Sequence, residues 1–120
     1  MSNSKKLQDS EATINELKAL VQRFVKERKW SKHHKAKNLS MSIAIEAAEL
    51  MEHFQWTPIQ EAQRSSKDRL RIEEEVADVA AYLLALCHVL NIDLSSAMQK
   101  KMIKNAKKYP ISNSTLPRYK

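Results

Sequence analysis

Glycine is absent from all 120 residues, against an average near 7%. Such a chain is expected to avoid left-handed backbone turns, tight hairpins and phosphate-cradling loops. The P-loop and the dinucleotide fingerprint, both built on glycines, are excluded outright, so any phosphate chemistry must use another device. A single cysteine, Cys87, excludes an intramolecular disulfide and points to a reducing compartment. The longest apolar stretch, Val76 to Leu90, runs for about 15 residues and is interrupted by Asp78; a bilayer span needs about 20. The opening MSNSKKLQDS lacks the apolar core of a secretory signal. A soluble, cytoplasmic protein is expected.

Basic residues are also missing, but only locally. The net charge is +7, yet residues 38–63 hold four acids and no Lys or Arg, and residues 72–99 hold five acids and none. Residues 1–37, 64–71 and 100–120 carry all 21 basic side chains. Two base-free acidic blocks between basic ones suggest a cation site beside an anion site.

What is present is helical periodicity, with no segment alternating strictly enough for a half-buried strand. One domain is expected over residues 1–110, with an irregular tail over 111–120. The first helix is predicted from about Ser10 to Lys29, started by Ser10 with Thr13. A polar connection, KWSKHHKAKN, follows. The second helix is predicted from about Leu39 to Gln55, stopping before Thr57-Pro58 because the residue before proline leaves the helical region. The third spans about Lys67 to Leu90 and ends at Asn91. The fourth begins at Asp93, capped by Asp93 or Ser95, and ends before Pro110. The fold class is therefore all-α, a four-helix bundle-like protomer. The third helix is apolar on every side except Asp78, Tyr82 and His88. A helix of that kind is buried, and in so short a chain a subunit interface is the expected cover.

On a helical wheel, Glu46, Glu49 and His53 share a stripe with Ser42, flanked by Ile43, Ala47, Leu50 and Phe54 on one side and Met41, Ile45 and Ala48 on the other. Glu75, Asp78 and Tyr82 share a stripe on the third helix. Each acidic pair is spaced i, i+3, so its carboxylates point the same way. Four carboxylates among apolar neighbours are tolerable only with a cation. All-oxygen donors select hard ions, Mg²⁺ or Mn²⁺ ahead of Zn²⁺. A solvated acidic face would instead carry interleaved Lys and Arg, which these blocks lack. On the fourth helix Lys101, Asn105 and Lys108 recur at i, i+4, i+7, one stripe able to meet an anion; Lys104 and Lys107 read as solvated charges.

These residues resemble a known family. IEAAEL is E-x-x-E and EEVADV ends in E-x-x-D, with residues 50–74 between Glu49 and Glu75. With ERKW, KNLSMSIAIEAAELMEHFQW and KMIKNAKKYP in order, the chain resembles the MazG-like nucleoside triphosphate pyrophosphohydrolases, and within them the dCTP pyrophosphatase branch. The resemblance implies hydrolysis of (deoxy)nucleoside triphosphates between the α and β phosphates, in nucleotide-pool control or house-cleaning. It implies that Glu46, Glu49, Glu75 and Asp78 hold Mg²⁺, and that Glu49 or Glu46 acts as base. It implies phosphate contacts from Lys101, Asn105 and Lys108, and phosphate or sugar contacts from Lys37 and Asn38. By the same likeness Trp30 and Trp56 flank the nucleobase, Tyr82 packs on the sugar and His34 has a part in binding. Animal members of the branch carry a histidine near the base where this chain has Val21, so strict cytosine preference is not implied. His88 and Cys87 read as packing residues. A homo-oligomer, dimer or tetramer, is expected, with no membrane or nucleic-acid partner.

Two other readings compete. A ferritin-like di-iron protein also gathers carboxylates in a helical bundle, but it needs Glu-x-x-His at i, i+3, whereas Glu49 and His53 are i, i+4. A non-enzymatic nucleic-acid-binding helical protein would use the basic ERKWSKHHKAK and the basic tail on phosphates; two base-free acidic blocks would repel that partner.

Overall fold

The computed structural model describes residues 6–56 and 66–111. Over these residues the regular structure is all helical: α1 (Ile14–Glu27), a 3₁₀ turn (Ser31–His33), α2 (Ala36–Glu52), α3 (Ser66–Leu90) and α4 (Leu94–Lys108). The four α-helices match the sequence reading in number and order. The 3₁₀ turn lies inside what reads as a plain polar connection. Expectations for Pro58 and for the tail beyond residue 111 lie outside the described residues.

Side-chain chemistry sets the helix starts. α1 opens later than Ser10, because Thr13 is the residue that can close a capping box. Thr13 Oγ1 accepts from the Glu16 N–H at 3.1 Å, and Glu16 Oε1 accepts from the Thr13 N–H at 2.9 Å. α4 starts as expected, with Asp93 Oδ1 accepting the Ser96 N–H at 3.0 Å. α2 begins at Ala36 and ends at Glu52, shifted toward the N-terminus relative to the reading from Leu39 to Gln55; residues 53–56 form a turn.

The helix ends correct the expectation drawn from missing glycine. Lys29 and Asn91 both sit in the left-handed region, at φ 59° and 57°. After α1, the Lys29 N–H donates to Lys26 O at 3.0 Å and the Trp30 N–H to Val25 O at 3.0 Å. After α3, the Asn91 N–H donates to His88 O at 3.3 Å and the Ile92 N–H to Cys87 O at 2.8 Å. Each pair is the double closure of a Schellman motif. Asparagine tolerates this conformation through local hydrogen bonding, while lysine adopts it at a cost of about 1–2 kcal/mol. The chain therefore makes left-handed turns without glycine, and the turn at Lys29 throws Trp30 back toward the helices.

α3 is the centre of the protomer, with α2 and α1 packed against it. The buried side chains are Val25 from α1, Leu39 from α2, and Leu84, Ala85 and Cys87 from α3. Val25, Leu39 and Leu84 each contribute about 1.5–3 kcal/mol by leaving water. Cys87 is a packing residue, as its sequence context suggests, whereas His88 is exposed. Lys18 Nζ donates to Ile92 O at 2.8 Å, which ties α1 to the turn after α3. α4 leaves α3 at a bend of 100° and contributes no buried residue. The described protomer is thus a three-helix core with a diverging fourth helix, where a four-helix bundle is the expectation. α4 brings five lysines against Met98, Met102 and Ile103, too narrow an apolar face to close the bundle. No single described helix is long and apolar enough to cross a membrane.

Candidate active site

The packing of α2 on α3 decides the geometry of the acids. Glu46 projects from the middle of α2, and Glu75 and Asp78 from adjacent turns of α3. One carboxylate oxygen from each of these three lies within 4.8 Å of the others. Glu46 and Glu75 are half-buried and Asp78 is exposed. Glu49, one turn along α2, stands outside that trio but is hydrogen-bonded to Glu46. That bond comes first among the forces that push the Glu46 carboxyl up from 4.5 to about 7; burial and repulsion from Glu49, Asp78 and Glu75 add to it. Glu75 Oε2 is buried without a hydrogen-bond partner among the described residues. No Lys or Arg forms an ion pair with any of the three among those residues.

These observations test the fit of a cation. Three converging carboxylates repel one another, one of their oxygens is orphaned in the interior, and no basic side chain neutralises them. A divalent ion satisfies all three conditions at once. The donor set is oxygen only, which suits a hard cation such as Mg²⁺ and lacks the histidines of a di-iron centre. The apolar flanking of the acids is one-sided, however. Ile43 and Leu50 are half-buried toward the core, but Met41 and Ile45 are 52% and 58% exposed.

Beside the acids lie two cavities that share Trp30, His34 and Tyr82 as a common wall. The first, about 130 Å³, is lined by Val21, Phe24, Val25, Asp78, Ala81 and Ala85 as well. Asp78 therefore belongs both to this cavity and to the carboxylate cluster. The second, about 320 Å³, adds His33, Asn38, Leu39 and Ser42. Asn38 Nδ2 donates to His33 O at 3.1 Å, which pins the 3₁₀ turn to the start of α2. Burial, and then the neighbouring His33 charge, hold the His34 imidazole below its ordinary 6.5. His34 Nδ1 is buried and has no hydrogen-bond partner among the described residues.

The sequence-predicted residues divide accordingly. Glu46, Glu49, Glu75, Asp78, Trp30, His34, Asn38 and Tyr82 meet in one region. Lys37 is exposed on the first turn of α2, and Trp56 is 87% exposed in the turn after it. On α4, Lys101 and Lys108 are exposed and Asn105 half-buried, with Lys108 Nζ 5.4 Å above the Tyr109 ring. None of these five lines either cavity. Conversely, sequence reasoning passed over Phe24, Ala81, Ala85, His33 and Ser42 as wall residues. A signal existed for the alanines: Ala81 and Ala85 follow Asp78 at i+3 and i+7, small side chains on the face that must leave room.

The model of the MazG-like family matches residues 41–116, from just ahead of the first carboxylate to beyond α4. The chain belongs to the MazG-like family. Similar proteins include dCTP pyrophosphatase 1 from Bos taurus, 35% identical over 105 residues that cover 85% of this chain and 62% of that protein. The Homo sapiens protein of the same name is 35% identical over 103 residues, covering 83% and 61%. The chain thus spans about three fifths of the length of these relatives. A solved pyrophosphatase from Archaeoglobus fulgidus superposes with a TM-score of 0.69 and 41% identity, over 88% of this chain and 100% of that one. The MazG-like resemblance is borne out; of the motifs that carry it, the two acidic ones are those that α2 and α3 bring together.

Proposed function

We propose that this protein hydrolyses (deoxy)nucleoside triphosphates at the α–β anhydride, giving a nucleoside monophosphate and pyrophosphate. The observation that carries the reading is the meeting of Glu46, Glu75 and Asp78 beside an aromatic-walled cavity to which Asp78 also belongs. Pyrophosphatase relatives support the reaction class, and dCTP is the first substrate to try because the Bos taurus and Homo sapiens relatives bear its name. Val21 in the cavity wall offers no hydrogen bond to a base, which argues against strict cytosine choice.

Glu46, Glu75 and Asp78 would hold Mg²⁺, with Glu49 beside them. A divalent ion there would supply neutralisation of phosphate charge and Lewis acidity. The chain's own groups do the rest. Trp30 and Tyr82 clamp the base and sugar between ring faces. His34, neutral near pH 7, offers a hydrogen bond from an imidazole already desolvated. Glu49 or Glu46 would take a proton from the attacking water. The water oxygen then bonds to phosphorus, the bridging P–O bond breaks and pyrophosphate leaves. Lys101, Asn105, Lys108 and Lys37 would meet the phosphate tail, and Trp56 the base. That assignment requires α4 and the end of α2 to reach a site they do not line in one protomer. A homo-oligomer, dimer or tetramer, would also cover the apolar faces left open on α3 and α4.

Purified protein with Mg²⁺ should release pyrophosphate rather than orthophosphate from a panel of nucleotides, read by product chromatography. EDTA and Asp78→Ala should each abolish turnover. Orthophosphate as the only inorganic product would refute the bond assignment, and no turnover of any nucleotide would refute the enzyme.

A further inference from the structure

Trp30 belongs to the wall shared by both cavities, yet its indole N–H has no hydrogen-bond partner among the described residues. Its backbone is fixed by the bond from its N–H to Val25 O at 3.0 Å, but the ring, 45% exposed, is oriented by packing alone. Its aromatic partner is Phe24, whose ring meets the indole edge-on, with centroids 5.6 Å apart and planes at 73°. Phe24 is itself 47% exposed and so is not locked by the core. Arg28 packs on the same ring. The Arg28 guanidinium carbon lies 3.6 Å above the Phe24 centroid, and Arg28 Nη1 donates to Phe24 O at 3.1 Å. The same nitrogen is 3.7 Å from Glu27 Oε1, which helps hold the side chain along the helix end. Arg28 lines neither cavity.

We propose that Arg28 is a positioning residue: its guanidinium clamps Phe24, and Phe24 in turn sets the orientation of Trp30 as the wall of the nucleotide cavity. The inference rests on the nucleotide reading above for its consequence, but its mechanical part does not. Two contacts, Arg28 on Phe24 and Phe24 on Trp30, thus link three residues close in sequence across the α1 terminus and the left-handed turn at Lys29. A guanidinium suits this post because it can stack flat on a ring and donate to a carbonyl at the same time; an ammonium cannot do both.

The test uses the full chain carrying ¹⁵N. The Trp30 indole resonance is assigned by its loss in Trp30→Phe, and nucleotide kinetics are measured in parallel. Arg28→Gln should shift or broaden that resonance, and should raise KM by about twofold to fivefold with kcat unchanged. Arg28→Lys should recover part of both effects. An unchanged Trp30 resonance with an unchanged KM overturns the proposal, as does a fall in kcat alone, which marks general destabilisation. Should Arg28→Gln lose its helical circular dichroism, Phe24→Leu, with Arg28 in place, must move the Trp30 resonance; no movement there overturns the proposal. If the parent chain turns over no nucleotide, the functional reading fails, and the Trp30 resonance by itself decides whether the clamp exists.

Discussion

Glu46 carries the sharpest residue-level expectation. Its carboxyl is pushed up to about 7 in the folded protein, from 4.5. Between those values the folded state binds more protons than the unfolded one, so this group's contribution to stability falls as pH rises. The contribution is fully present below about pH 4.5 and is lost by the time pH has passed about 7. Metal-free protein should therefore lose thermal stability across that window. Mg²⁺ competes with the proton for the same oxygen and should stabilise the fold much more at about pH 8 than at about pH 5. Melting curves in EDTA and in Mg²⁺ at both pH values check the sign. Equal shifts at both pH values would show that Glu46 is no part of a cation site, and Glu46→Gln should abolish the pH dependence of the difference. The acidic motifs made Glu46, Glu49, Glu75 and Asp78 legible as candidates in the sequence. The bond between Glu46 and Glu49, and the orphaned oxygen of Glu75, were not, because they depend on side-chain rotamers and on the depth to which α2 sinks against α3.

Helix termini were legible to within a few residues wherever a cap is a local matter. Asp93, three residues before the Ser96 N–H it accepts, is readable from spacing alone, and so is Asn91 as a terminator. Lys29 was not, since nothing in a lysine announces a left-handed conformation; the demand comes from the chain having to reverse after α1 and deliver Trp30 to α3. The strain there is testable. Lys29→Gly should raise stability by about 0.5–1 kcal/mol, the steric relief less the added entropy of the unfolded chain. For a domain of this size that is a rise of about 2–6 °C in Tm. A fall in Tm would mean that the lysine side chain, and not the backbone, is what this turn uses.

For the whole molecule the apolar inventory decides. Among the described residues five side chains are buried, against seventeen large apolar ones that are exposed. Scattered apolar exposure is ordinary, but here it runs along helices: Leu70, Val76, Leu83, Val89 and Leu90 on α3, and Met98, Met102 and Ile103 on α4. A second copy of the chain is the cover always present at matching concentration. Sedimentation should show an assembly larger than a protomer without nucleotide, and Tm should climb with protein concentration. A monomer at every concentration tested would end this expectation, and with it the route by which α4 and Trp56 reach a nucleotide.

By itself the sequence determined the helices, their order and the pairing of acids at i, i+3, because helix periodicity and local spacing are properties of neighbouring residues. The absence of Lys and Arg in the two acidic blocks was likewise enough to call for a cation. Only the tertiary structure decided that Glu49 stands beside the trio rather than within it. It alone showed that Phe24 and the alanines of α3 complete the cavity wall, and that the stripe on α4 lines neither cavity of its own protomer. Those outcomes depend on how deeply one helix settles against another and at what angle the chain leaves a turn. Long-range packing sets both, and no window of adjacent residues encodes them.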